Sequence, residues 1–275
     1  MKAGKFLLEF AGFFIYNRYF KRGNKLKIKH GQLNIELISD VHFEFGSLPS
    51  FFSIPEDTDV LVLAGDIASG VTNVYDALKA FRKQTNADIV YVMGNHEHYS
   101  GAREIEEFSE LLLQKTQAMD RVHFLERESV EIKGVHFIGA TLWTNFRDDI
   151  WARQAAKEMI TDFRRIKKFS TLACETIHYS TKIYLKTAYE NLQGPKVIVT
   201  HFLPAIECIS PQYQNPKNLL NYYFANDMGG WISELKDTVW MFGHTHDSVD
   251  IVLGDTRCVC NPYGYFGHQL NKEFK

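Results

Sequence analysis

The chain has 275 residues, 45% hydrophobic and 23% charged, which suits a soluble globular enzyme built as one large domain or two small ones. A formal charge of −2 argues against nucleic-acid binding through bulk electrostatics, and a core of this size needs no disulfide or structural metal to fold. Cys174, Cys208, Cys258 and Cys260 contain no C-x-x-C pair, so buried free thiols in a reducing, cytoplasmic compartment are expected.

Residues 1–31 differ from the rest. Phe6 to Tyr16 is rich in aromatics, and Arg18, Lys21, Arg22, Lys25, Lys27 and Lys29 follow. Glu9 interrupts the apolar stretch, which is too short to span a membrane. No small-residue cleavage site follows, so no signal peptide is expected. A helix over residues 6–20 fits two roles: lying on a membrane surface with help from the basic run, or packing on its own domain or another subunit.

From residue 32 to residue 275 strands and helices alternate. Apolar runs predict strands at Asn34–Ser39, Val60–Ala64, Ile89–Met93, Val122–Leu125, Val130–Ile132, Val135–Ala140, Lys196–Thr200, Val239–Phe242, Ser248–Leu253 and Thr256–Asn261. Helices are predicted at Asn73–Thr85, Ala102–Ala118, Asp149–Met159, Thr171–Asn191 and Gly229–Leu235. The first half reads βαβαβ, which implies parallel pairing with crossover helices. Turns at Gly134 and at Gly254-Asp255 read as hairpins, so the fold class is α/β with mixed sheets. Two long connections, Glu44–Asp57 and Phe202–Asn226, each follow a candidate ligand and are expected to form a lid or a specificity wall.

Five of these strands end in polar chemistry. Gly94-Asn95-His96-Glu97-His98 follows the run ending at Met93, with Gly94 allowing a sharp turn. Asp40-Val41-His42, Gly65-Asp66, Thr200-His201 and Gly243-His244-Thr245-His246 occupy equivalent places. Open α/β sheets put their sites at such carboxyl ends. Asp40 and His42, like His244 and His246, are two apart, so an extended backbone would put each pair on one side. Asp, Asn and His suit divalent Mn, Fe, Zn or Ni. Asp40, His42, Asp66, Asn95, His201, His244 and His246 are too many for one tetrahedral zinc, but they suit two divalent ions bridged by Asp66. Such a pair clamps the oxygens of a phosphoryl displacement and makes hydroxide near neutral pH. His96, beside a ligand, is placed as general acid for the leaving oxygen.

The order and content of these motifs resemble the calcineurin-like metallophosphoesterases. Asn261-Pro-Tyr-Gly-Tyr265, Thr141-Leu-Trp-Thr-Asn145 and Met159 to Ile166 look like a bacterial or phage branch of that family. The resemblance implies a four-layer α/β/β/α sandwich of two mixed sheets. It implies one ion held by Asp40, His42, Asp66 and His246, and another by Asp66, Asn95, His201 and His244. His96 would face the leaving group, and Glu97 would orient His96 or a ligand imidazole. Protein Ser/Thr phosphatases of the superfamily carry an Asp-Arg pair soon after the Gly-Asp motif. Here Gly65-Asp-Ile-Ala-Ser-Gly70 has neither, which removes a phosphate-clamping arginine and a carboxylate partner for the catalytic His. A small phosphorylated substrate, monoester or diester, is the expectation.

Four further residues have substrate roles to weigh. His98 lines the pocket or is a solvated loop residue. Arg164 and Arg165 replace the missing clamp or end a helix in water. Asn145, after a strand, touches substrate. Two other functions stand beside the phosphoesterase. One is a non-catalytic scaffold on the same fold. The other is a nuclease or nucleotide hydrolase, with Tyr213, Tyr222, Tyr223 and Phe224 offering base-stacking surfaces.

Overall fold

A computed structural model describes residues 27–31, 33–48, 52–215 and 217–274. The aromatic stretch at residues 6–20, with its expected membrane or subunit contact, lies outside them. Among the described residues no helix is long and apolar enough to cross a membrane.

The first sheet runs in the order β1 (Lys27–His30), β2 (Leu33–Ile38), β3 (Val60–Ala64), β4 (Asp88–Val92) and β5 (Val122–Phe124). From β2 onward all pairs are parallel, and α1 (Val71–Arg82) and α2 (Ile105–Thr116) make the later crossovers. β1 pairs antiparallel with β2. The domain boundary expected after residue 31 therefore falls inside a hairpin, and Lys27–His30 belongs to the sheet. Its four residues, half of them lysine, are too few to show a strand period.

The second sheet runs β10 (Val249–Leu253), β11 (Thr256–Cys260), β9 (Thr238–Phe242), β8 (Lys196–Thr200), β7 (Val135–Ala140) and β6 (Glu128–Ile132). Its inner strands are parallel, and its edges β10 and β6 are antiparallel hairpin arms. Lys133 and Gly134 both have positive φ (48° and 80°), as a type I′ hairpin turn requires. The helical cover on this side includes α3 (Ile150–Met159), α4 (Asp162–Arg165) and α5 (Thr171–Asn191). Asp149 caps α3 and Ser170 caps α5 through their side chains. Two single-turn helices, α6 (Asn221–Phe224) and α7 (Gly229–Ile232), follow β8. A small hairpin, β12 (Gly264–Tyr265) with β13 (Gln269–Leu270), follows β11.

The strands are apolar on both faces, which fixes four layers. Leu61, Leu63, Ile89 and Tyr91 face α1 and α2. Val60, Val62, Val90 and Val92 meet Phe137, Val197, Val199 and Met241 of the second sheet. Ile198, Trp240 and Phe242 face outward again, toward Leu185 of α5. The result is the α/β/β/α sandwich expected from the motifs.

The sheets lie close together at Gly139 on β7. A Cβ there would lie 2.6 Å from the Leu125 Cβ and 2.9 Å from Val92 Cγ1. Gly139→Ala should cost about 1–3 kcal/mol by overpacking, seen as a lower urea midpoint at unchanged slope. An unchanged midpoint would show that the sheets are free to part there.

Candidate metal centre

The carboxyl ends of β2, β3, β4, β8 and β9 meet at one edge of the sandwich. Backbone bonds lock their loops together: Asp40 N donates to Gly65 O, His42 N to Asp66 O, and Gly243 N to His201 O. Ser39 bridges to Pro262, tying the first sheet to the tail of the second. Asp40, His42, Asp66, His244 and His246 all have φ between 50° and 71°. That left-handed conformation is unfavourable for residues other than glycine and gathers at functional sites. The two-apart pairs therefore converge through left-handed turns, not through an extended backbone. Gly94 has no positive φ, so its role is space, not turning. A Cβ there would sit 2.2 Å from Asp66 Oδ1 and 2.7 Å from the His201 ring.

All seven candidate ligands come together. Three overlapping groups have donor atoms within 4.8 Å of one another: Asp40, His42 and His246; His42, Asp66 and His96; and Asp66, His201 and His244. Asp66 Oδ2 lies 3.7 Å from His42 Nε2 and 3.4 Å from His201 Nε2. His42 Nε2 and His246 Nε2 are 3.2 Å apart, and His246 Nε2 is 3.4 Å from Asp40 Oδ1. His201 Nε2 is 3.2 Å from both Asn95 Oδ1 and His244 Nδ1.

Hydrogen bonds behind the ligands decide which atoms face inward. His201 Nδ1 donates to Ala64 O at 2.8 Å, so Nε2 is the ring nitrogen left to face the cluster. His42 Nδ1 donates to Glu44 Oε1 at 3.1 Å, with the same result. Asn95 Nδ2 donates to Asp162 Oδ1 at 3.1 Å and to Tyr99 OH at 3.3 Å, which aims Oδ1 at the cluster. Tyr99 OH and Tyr223 OH also donate to Asp162. The inner face is thus a set of lone pairs and carboxylate oxygens with few hydrogens to share. A divalent cation is the group that satisfies such a set, so the residues present fit the metals that the motifs imply. Burial alone would lower the His201 imidazole, but the Asp66 and Asp40 carboxylates carry it up to about 10. A cation between them would take over that balancing charge and leave the ring neutral for ligation.

His96 lies against the cluster, within reach of His42 and Asp66, but its ring nitrogens face other partners. Its Nδ1 faces Glu44 Oε1 at 3.1 Å and its Nε2 faces Tyr265 OH at 3.2 Å, so both ring nitrogens already have partners. Burial works to raise the Glu44 carboxyl, yet its bonds from His42 and His96 hold it down at about 2. Glu44 therefore supplies the carboxylate partner for His96 that the Gly-Asp motif lacks. Sequence reasoning missed Glu44, Asp162 and Tyr265. The continuing two-residue rhythm Asp40-x-His42-x-Glu44 was a signal for the first; the other two lie far along the chain with no motif of their own.

Glu97 takes a different role from the expected one. It touches no imidazole; it accepts from the backbone of Asp66, Ile67 and Gly94 at 3.2, 3.0 and 2.9 Å, and from Tyr91 OH at 2.9 Å. It braces the two loops that carry Asp66 and Asn95. Burial and the nearby Asp66 carboxylate push it up to about 8.

The four weaker substrate residues lie elsewhere. His98 neither lines the cleft nor meets solvent. It is 1% exposed, packs edge-on to Phe108 at 4.7 Å, and has no hydrogen-bond partner for either ring nitrogen among the described residues. The turn at His96–Ser100 is a 3₁₀ helix, where residues two apart point in different directions. Burial drives His98 down to about 3, so it is neutral. Asn145 accepts from Arg147 N and donates to Asp148 and Tyr179, closing a turn away from the centre. Arg164 donates to Glu158 O, and Arg165 donates to Tyr99 O while lying over the Tyr99 ring. α4 turns Asp162 inward and leaves both arginines exposed.

Above the centre opens a cleft of about 500 Å³, whose floor includes Asp66, Asn95, His96, His244 and His246. Leu203, Ile209, Tyr213, Leu220, Tyr223 and Phe224 from the long segment after His201 line it, so that segment is a wall. The other long connection serves the site through Glu44 and otherwise packs Leu48 and Phe52 on the first core.

Known proteins share this fold. The crystal structure of phosphopantetheinyl hydrolase (PptH) from Mycobacterium tuberculosis matches with TM-score 0.68 at 18% identity, over 84% of this chain and 89% of that one. The crystal structure of TT1561 from Thermus thermophilus matches with TM-score 0.52 at 12% identity, over 83% and 88%. Those likenesses establish the fold. "Uncharacterized protein L509" of Acanthamoeba polyphaga mimivirus is 28% identical over 269 residues, 86% of this chain and 92% of that protein. The family model for calcineurin-like phosphoesterases matches residues 33–248, a span that contains all seven candidate ligands together with His96 and Glu44, and the chain belongs to that family of metal-binding hydrolases.

Proposed function

We propose that the protein hydrolyses a small phosphate ester at two divalent cations, Mn, Fe, Zn or Ni, bridged by Asp66. The convergence of imidazole and carboxylate lone pairs on both sides of that one buried carboxylate carries this reading. Asp40, His42, Asp66 and His246 would hold one ion, and Asp66, Asn95, His201 and His244 the other. Bound there, the pair would neutralise phosphoryl oxygens and activate a water.

The chain's own groups do the remaining work. Glu44 fixes the His96 ring through Nδ1 and leaves Nε2 toward the cleft. Tyr265 OH occupies Nε2, and the leaving oxygen of the ester takes that place. As the P–O bond breaks, His96 gives its Nε2 proton to the departing alkoxide. Asp162, Tyr99 and Tyr223 hold Asn95 in its ligating orientation. The Phe202 and Phe224 rings, 4.1 and 5.1 Å from the His244 ring, pack that ligand against the wall. Tyr213 and Phe224 in the cleft also support the alternative that the ester is a nucleotide.

Metal removal by EDTA should abolish turnover of p-nitrophenyl phosphate or of bis-p-nitrophenyl phosphate, and added Mn should restore it. Asp66→Ala should be inactive with a wild-type circular dichroism spectrum; full activity in that variant would overturn the bridging role. His96→Ala should cost about 10²–10⁴-fold in kcat on alkyl esters and far less on p-nitrophenyl esters, whose leaving groups need little protonation. Equal losses on both would remove His96 as the acid.

Burial lowers His96, but the Asp66 and Glu44 carboxylates override it and raise the ring above its ordinary 6.5. The acid form thus persists above that pH, and kcat/KM should fall as pH rises through the raised value. Glu44→Gln should move this alkaline limb to lower pH. A limb that stays in place would assign the proton to another group.

A further inference from the structure

We infer that the cleft selects phosphate esters whose leaving alcohol is uncharged and largely apolar, and that it rejects substrates carrying a second anionic group. The inference rests on the phosphoesterase reading above and names its substrate class.

The floor of the cleft has cation-binding capacity, and among the described residues the walls have no cation of their own. Among the described residues no lysine or arginine lines it. Lys217 is the one basic residue in the wall segment 203–224, and it is exposed and faces elsewhere. Arg164 and Arg165 are turned onto backbone carbonyls outside the cleft. Besides tyrosines, the one ionisable wall residue among those described is Asp162, itself an acid.

What the walls do offer is apolar surface. Ile209, Leu220 and Phe224 line it from the segment after His201, and Met159 and Ile160 from the end of α3. The two lining asparagine amides of the wall segment are already committed. Asn218 donates to Asn221 Oδ1 at 3.3 Å and accepts from Leu220 N at 3.2 Å. Asn221 donates to Tyr213 O at 2.8 Å. The wall is therefore preformed, and its polar groups hold its own backbone instead of waiting for a ligand.

The charge balance follows. One phosphoryl group would be neutralised at the metal centre. A second phosphate or a carboxylate on the leaving group would be pressed against aliphatic side chains and Asp162 with no cation to pair it, which is costly. An uncharged aryl, alkyl or nucleoside group would instead bury apolar area favourably. Nucleoside di- and triphosphates and sugar bisphosphates fall outside this class. Nucleoside monophosphates and neutral aryl or amide-bearing alkyl esters fall within it.

The test compares phenyl phosphate with 4-carboxyphenyl phosphate on the Mn-loaded full chain. The two phenols are similar in size and leaving ability, and differ by one negative charge. kcat/KM should be lower for the carboxylate by about tenfold or more, with the loss mainly in KM. Leu220→Lys puts a cation on the wall at a half-exposed position, where the ammonium can reach water. That variant should narrow the ratio. Equal or faster turnover of the carboxyphenyl ester by the wild type would overturn the inference and leave the phosphoesterase reading standing. Absence of turnover of either ester by the metal-loaded protein would overturn both.

Discussion

A buried carboxylate whose counter-charges are imidazoles alone sets the terms for the whole edge of the sandwich. Asp66 is 2% exposed, and its ion-pairing partners among the described residues are His42 and His201. Asp40 is buried close by and its charge adds to the same problem, whereas Glu97, pushed up to about 8, holds its proton beside it. Taking carboxylates out of water costs several kcal/mol each unless a counter-charge compensates. Four imidazoles and an amide oxygen arranged with lone pairs inward cannot fully supply that charge while remaining neutral. A pair of divalent ions can, and the proposed chemistry follows from the same requirement.

The rest of the fold serves that arrangement. Two sheets apolar on both faces bring five strand ends to one edge. Glu97 then holds the Asp66 and Gly94 loops together, while Glu44 spans from a ligand imidazole to His96. One carboxylate braces backbone and the other joins the proposed metal centre to the proposed acid. Five left-handed residues are tolerated because these contacts over-determine the loops. The cleft above adds an apolar, preformed wall, so strong electrostatics are confined to the floor.

The architecture and the gathering of the candidate ligands at one edge were legible because each signal repeats. Val60 to Ala64 or Lys196 to Thr200 reads as a strand buried on both faces, and a polar residue directly after it has one place to go. The antiparallel edges were marked by their turn glycines, Gly134 and Gly254. The supporting residues were not legible, because contacts such as Asn95 with Asp162 join positions 67 apart in the chain, which no local period encodes. His98 misled because it directly follows the motif, whereas the 3₁₀ turn there carries it into the core beside Phe108. Arg164 and Arg165 were attractive as cations, yet their helix spends its inward position on Asp162.

The most direct measurement is an anomalous difference map from a crystal of the full chain loaded with Mn. The account predicts two peaks flanking the Asp66 carboxylate, about 3.5–4 Å apart, one against Asp40, His42 and His246 and the other against Asn95, His201 and His244. A single peak, or peaks that Asp66 does not bridge, would contradict it.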